Sequence, residues 1–453
     1  MSISSVFDIS TKSLMSYQEA LDVTSNNISN AANPDYSRQQ VVLSEDPSQQ
    51  VGNFIFGTGV KVGDIQRVTD NLTNSQIWTN NAKYSNNNQS STVLNQIQQL
   101  FAEPSTSGLS SLSTAFFNAW QQLSVTPNSN ALRNNVIQTA QSLSAQVQNI
   151  NDGFNSVKSD LVAQSKNQVN QINTDLQQIQ SLNVQIYQSQ SSGQQPNDLL
   201  DQRDKAITDL SNLTNINVSY DSGNSAVISI GGILAVDRAH STQLQLSNIN
   251  GKLSLTTTDG SVSGALTGGS LFALTNLYNN TIPGYQNSLD SYVNNLMNGV
   301  NSQTIAGYTN GNPPQTGITF FSGYQNGTLS VNPQIIQDPS KIAASSDGTS
   351  GNGNIALNIS NILNQQNSSG VSLNDSYNQI ISQVGSDTQN ATNSAKSYQL
   401  VLNQLQNQKS SISGVNTDEE TSNVIQYQKC YDASAKIISI ASQMLDTIIN
   451  MVA

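Results

Sequence analysis

A mainly α-helical chain with a β-rich insert is predicted on three grounds. Apolar residues recur at alternating spacings of three and four over long stretches on both sides of the middle. Short strand-like runs separated by turn residues occupy the centre. The stripes at the two extremities are the most coiled-coil-like, so the N- and C-terminal helices are expected to pair as a coiled coil beside a long-helix bundle and a small antiparallel β domain.

The first stripe is Ile3, Phe7, Ser10, Leu14, Tyr17, Leu21, Thr24 and Ile28. It runs into SNNISNAANPDYSRQQ (25–40), where Pro34 and a cluster of Asn end the helix, and the β-like VVLSEDP (41–47) follows. Shorter helices are expected over 86–101, 107–123 and 197–213. Between them Val136, Ala140, Leu143, Val147, Ile150, Phe154, Val157 and Leu161, continued by Val169, Ile172, Leu176, Ile179 and Ile186, predict a helix of about fifty residues that ends near Gly193 and Pro196. INVSY (216–220), AVISI (226–230), ILAV (233–236), QLQLS (243–247) and KLSLT (252–256) read as strands, with Asn250-Gly251 a hairpin turn. A helix over 270–304, kinked near Pro283-Gly284, leads to turns and short strands over 307–335 and a Gly/Ser/Asn linker at 345–354.

Heptads resume with Tyr377, Ile381, Val384, Thr388, Ala391, Ala395, Tyr398, Leu402 and Leu405, and Gly414 interrupts them. The last stripe is Val424, Tyr427, Tyr431, Ser434, Ile438, Ala441, Leu445, Ile448 and Val452. Thr417-x-x-Glu420 reads as the capping box of that helix, with Asp418 and Glu419 in its positive first turn. The expected domains are a terminal helical layer (1–40 and 411–453), a long-helix bundle (41–215, 266–306 and 355–410) and a β-rich outer insert (216–265 with 307–340).

Composition narrows the function. The chain of 453 residues is only 10% charged, carries a net charge of −12 and is rich in Asn, Gln and Ser. That balance offers nothing to nucleic acid or anionic lipid, and no segment approaches the roughly 18 apolar residues of a membrane span. MSISSVFDIS lacks the basic and apolar regions of a standard signal peptide. One cysteine, Cys430, excludes an intramolecular disulfide, and one histidine, His240, excludes a multi-His metal site. His240 reads as a surface or turn residue, Cys430 as a packed thiol, and Trp78 and Trp120 as core. Asp198, Asp201 and Asp204 share a helix face, but Arg203 and Lys205 alternate with them, which favours a structural role over catalysis. Asp347 is the sole carboxylate of its loop and does not make a calcium site. No catalytic, cofactor-binding or metal-ligating residue is assigned, and no cofactor is expected.

A terminal helix of this length, about 42 Å, has only a narrow apolar stripe, diluted by Ser10, Thr24 and Ser434. Its burial roughly cancels the conformational entropy of ordering the segment. The terminal helices are therefore expected to be marginal alone and ordered by neighbouring subunits. The candidate assembly interface is Phe7, Leu14, Leu21, Ile28 and Tyr36 with Val424, Tyr427, Tyr431, Ile438, Leu445 and Ile448.

The stretch 25–40 together with GVNTDEETSNVIQYQKCYDASAKIISIASQMLDTIINMV (414–452) resembles the terminal motifs of the bacterial flagellar rod, hook and hook-associated axial proteins. Tyr36-Ser37-Arg38-Gln39, PNDLLDQRDKAITDLSNL (196–213) and SISGVNTDEE (411–420) are similar to the hook-associated protein 1 family within that group, although Asp35 stands where a Gly is usual. The resemblance implies a non-enzymatic subunit, exported unfolded through the flagellar type III apparatus and secreted to the hook–filament junction of the flagellum. It implies self-polymerisation with the terminal helices lining the inner tube, contacts to the hook protein and to a second junction protein, and an export chaperone on the C-terminal helix. Hook, rod and second junction subunits are the alternatives in the same superfamily, and an axial scaffold carrying a hydrolase insert is a more distant one.

Overall fold

The computed structural model describes residues 3–258, 260, 266–367 and 370–452, and the few remaining positions inside the expected domain bounds lie outside it. The chain begins with α1 (Ile3–Ser29) and continues through strands β1 (Gln39–Glu45), β2 (Gln49–Val51), β3 (Phe54–Phe56) and β4 (Val60–Arg67). Helices α2 (Asn71–Leu100), α3 (Leu109–Val125), α4 (Asn130–Ser191) and α5 (Asn197–Leu213) follow. Strands β5 (Asn217–Tyr220), β6 (Ala226–Ile230), β7 (Ile233–Val236), β8 (Leu244–Ile249) and β9 (Lys252–Thr257) precede α6 (Ser270–Asn276) and α7 (Ile282–Ala306). Strands β10 (Phe321–Gln325) and β11 (Thr328–Val331), two short helices α8 (Pro333–Gln337) and α9 (Asn354–Asn361), and the long α10 (Leu373–Ser413) and α11 (Thr417–Val452) complete the chain. All strand pairings are antiparallel.

α4 is the spine. Its 62 residues extend about 93 Å, and its heptad residues from Val136 to Ile186 are buried. The Ser129 hydroxyl caps its start by accepting from Leu132 N–H. One half of α4 serves a large core with the end of α2, α3, α7, β10–β11 and the first half of α10, centred on Phe116, Trp120 and Phe320. Trp120 and Phe320 meet at 5.2 Å, edge to face. The other half of α4 serves a second core with Trp78, Ile207 and Leu210 of α2 and α5 and with Ile228, Ile230, Leu244 and Leu255 of the β5–β9 region.

Four sequence expectations are corrected. The strands of 307–340 do not join the 216–257 strands in one outer insert: Phe321, Leu329 and Val331 sit in the large core, on the opposite half of α4 from β6, β8 and β9. Residues 41–67, expected within the helix-bundle domain with only 41–47 read as β-like, belong with Gln39 and Gln40 to two antiparallel pairings, β1 with β4 and β2 with β3, and β1 and β4 lie beside α1. The irregularity near Pro283 is a π-helical turn at Leu277–Thr281, immediately ahead of α7, where the missing proline N–H and ring would otherwise disturb a continuing α-helix. The capping box belongs to α10, where Ser372 and Asp375 bond reciprocally, and not to α11. α11 is capped by Asn416, whose Oδ1 accepts from the N–H of Asp418 at 3.0 Å.

Candidate functional site

α1 and α11 pair antiparallel. Asn27 meets Glu420 at one level, and Tyr17 stacks on Tyr427 further along, with ring centroids 6.4 Å apart. These helices bury mainly small and polar groups: Ser10, Ser16, Ala20, Val23, Thr24 and Asn27 of α1, and Glu420, Ser434 and Ala441 of α11. Cys430 lies half-buried beside the Tyr17 hydroxyl, whose pKa is raised first by burial and then by that thiol.

The predicted interface residues divide. Phe7, Leu14, Leu21, Tyr36, Val424, Tyr427, Tyr431 and Ile438 are half-buried within the chain, whereas Ile28, Leu445 and Ile448 are exposed. A second stripe on α11 is also exposed: Ile437, Ile440, Met444, Ile448 and Met451, spaced three and four apart. Of these only Ile448 is among the interface residues expected from sequence; the spacing of Ile437, Ile440, Met444 and Met451 is visible there but runs beside the heptad stripe that begins at Val424.

Where the terminal pair meets the body, the stretch SNNISNAANPDYSRQQ folds around a single side chain. Asn27, 1% exposed, uses every hydrogen-bonding position of its amide. Its Oδ1 accepts from the Tyr36 hydroxyl at 2.8 Å and from Gln39 N–H at 2.9 Å. Its Nδ2 donates to the Gln39 carbonyl at 2.8 Å and to Glu420 Oε2 at 3.1 Å. The abrupt stop after α1 is thus a loop returning to its own helix, and Tyr36 closes it. Burial, then the charges of Asp201, Asp198 and Glu420, push the Tyr36 pKa well above its usual value, so the hydroxyl remains a donor.

The acidic helix α5 fastens this loop to the body. Asp201 accepts from Ser37 N–H at 3.1 Å and pairs with Arg67 Nη1 at 2.5 Å, while Arg67 Nη2 reaches Asp204 at 3.2 Å. Asn197 Nδ2 donates to the Ile65 carbonyl at 2.8 Å. One guanidinium fork therefore bridges two carboxylates one helical turn apart. Burial raises the Asp201 pKa even with Arg67 beside it. From the other side, Arg38 N–H donates to the Ser413 carbonyl at 2.8 Å, and Arg38 pairs with Glu419 at 3.2 Å. Gly414 makes the bend from α10 to α11, since a Cβ there would lie 2.3 Å from the Ser410 carbonyl oxygen.

The arrangement is an elbow between two layers. Its polar groups bond chiefly to one another, beside two open clefts that Tyr36 and Asp201 on one side and Gln39 and Asn197 on the other also line. His240 is exposed, with the Asp237 carboxylate 3.7 Å away, in the β region far along the sequence from these residues. Among the described residues no group of three or more His, Cys, Asp and Glu could hold a metal ion. Among them, too, no helix is long and apolar enough to cross a membrane.

Comparison with known proteins agrees with this geometry. The model of the flagellar hook-associated protein FlgK helical domain matches residues 94–321, and that of the flagellar basal body rod FlgEFG protein C-terminal region matches residues 406–451. The chain is 26% identical to flagellar hook-associated protein 1 of Bacillus subtilis (strain 168), over 97% of this chain and 96% of that one. It is 30% identical to flagellar hook-associated protein 1 of Salmonella typhimurium, over 49% of this chain and 40% of that one. The fold is shared with the solved structure of the flagellar hook junction protein FlgK from Burkholderia pseudomallei, at a TM-score of 0.65 and 16% identity, over 75% of this chain and all of that one. The chain belongs to the flagellar hook-associated protein FlgK family.

Proposed function

We propose that the chain is a structural subunit of the bacterial flagellum that forms the junction between hook and filament and polymerises through its terminal helices. The observation that carries the reading is the α1–α11 pair: Asn27 and Glu420 join its two helices at one end, Ser37 ties that end to Asp201 of the body, and the pair leaves a line of isoleucines and methionines uncovered along the rest of α11. A monomer has no use for that surface, whereas a tube built from side-by-side terminal layers would cover it. The hook protein, a second junction protein and an export chaperone on α11 are the partners that follow, with export to the cell exterior and no catalytic role.

Deletion in a motile host tests the reading. Hooks should form, filaments should fail to attach, and filament protein should collect in the medium. Normal attachment of full filaments in the deletion strain would overturn the junction role.

A further inference from the structure

The β2–β3 hairpin, beside the terminal layer, carries two large apolar side chains that are mostly uncovered: Phe54, which meets only the neighbouring Phe56 ring at 6.3 Å, is 70% exposed and Ile55 74%. Gly52, with φ +64, supplies the turn that sets the two at its tip, facing opposite sides of the ribbon. We propose that this tip seats on the exposed α11 stripe of a second copy of this chain, a contact that rests on the junction reading above.

Four observations select that occupant. First, the hairpin sits at the right level. β1 and β4 run along α1 from Asn27, which bonds Gln39, to Ser16, whose hydroxyl donates to the Val60 carbonyl at 3.2 Å, and Lys12, which pairs with Asp46 at 2.5 Å. Gly59 lies against Ile9, so β2–β3 emerges beside the first turns of α1. The antiparallel register set by Asn27–Glu420 and Tyr17–Tyr427 places α1 residues 3–9 level with roughly residues 435–443 of α11 at 1.5 Å per residue. Subunits packed side by side at similar heights would thus present the tip of one to Ile437, Ile440 and Met444 of the next.

Second, the electrostatics match. The chain carries a net charge of −12, yet residues 47–59 contain no charged side chain and residues 437–452 contain only Asp446. Those are surfaces on which like copies meet without repulsion. Third, donor and acceptor are different surfaces, so the contact is head-to-tail and propagates instead of closing a pair. Fourth, an exposed Phe and Ile hide a few hundred Å² at most, well under the ~1,200 Å² of a standard stable interface. The contact is therefore too small to hold a dimer in dilute solution and gains strength only when repeated in a polymer.

The test uses the full chain with Cys430→Ser, so that introduced thiols are the only ones. Ile55→Cys and Met444→Cys are combined, and intact flagella from the motile host are treated with a short bis-maleimide. The expected result is a ladder of covalent multimers of this chain, with either single variant remaining monomeric. No ladder from flagella that carry attached filaments, or Ile55→Cys joined instead to another axial protein, would overturn the proposal. A second variant, Phe54→Ser with Ile55→Ser, removes apolar surface from an exposed tip; it should be exported at the normal level yet attach several-fold fewer filaments. Undiminished attachment would overturn the proposal. A deletion strain with normal filaments would instead count against the junction role itself, so the two failures are separable.

Discussion

The Asn27 amide donates to the Glu420 carboxylate across 393 residues of sequence, at 3.1 Å, with both side chains buried. With the Asn27 bonds to Tyr36 and Gln39, this contact links the first helix, the loop that follows it and the start of the last helix. Replacing Asn27 by Ala would leave the Tyr36 hydroxyl, both Gln39 backbone groups and Glu420 without that partner, at about 1–3 kcal/mol for each group that stays unsatisfied. The loss should be local. Amide exchange should accelerate across residues 27–40 and 413–420 while α4 remains as protected as before. Unchanged exchange in those segments would show that the amide is not the tie.

Arg67 is the fastener on the other side. Its fork holds Asp201 and Asp204, and Asp201 is almost wholly buried. Arg67→Ala strands a buried carboxylate and should cost about 3 kcal/mol in urea unfolding. Arg67→Lys, which can meet only one carboxylate well, should recover part of that loss.

Most of the framework was legible in the sequence. α4 and α10 could be read from their stripes because a helix that buries one face through heptad after heptad must repeat its apolar residues, and Val136 to Ile186 do so with only the buried Ser165 and Asn183 breaking the run. Trp78 and Trp120 fell in the two cores as read. The elbow was not legible. Asn27, Arg67 and Glu420 are polar residues in segments whose hydropathy points outward, and their partners lie far away in sequence. The Thr417-x-x-Glu420 pattern was correct in form yet misleading, because burial against Asn27 claimed the Glu420 side chain that a local cap would have used. Of the strands at 39–67 only the first, within the β-like 41–47, was legible; short, polar strands such as Gln49–Val51 carry little alternation to read.

Asp175 gives a pH signature. This carboxyl on α4 is buried, one of its oxygens has no partner, and burial raises its pKa, opposed by the Gln171 amide. A carboxyl with a raised folded-state pKa binds its proton more readily in the native state, so it costs stability as pH rises from the ordinary 3.8 through the folded value. Asp175→Asn should therefore raise neutral-pH stability by on the order of 1 kcal/mol, and the gain should vanish in acid below pH 3.8, where both states hold the proton. A gain that persists unchanged at low pH would assign the effect to packing.

Ile440 separates stability from assembly. Its side chain is exposed on α11, so Ile440→Asp should shift the melting of the isolated chain by less than ~0.5 kcal/mol. The same variant should be exported but fail to hold filaments on hooks. Normal motility would remove the α11 stripe from the assembly surface.

Hydrogen exchange along α1 and α11, in dilute monomer and in assembled flagella, reaches the central claim most directly. In the monomer, protection should be strongest beside Asn27 and Glu420 and fade toward Ile3 and Met451, while α4 and α10 stay protected; in flagella both terminal helices should be protected along their full length. Equal, strong protection of residues 3–29 and 424–450 in the two states would contradict a terminal layer completed by its neighbours.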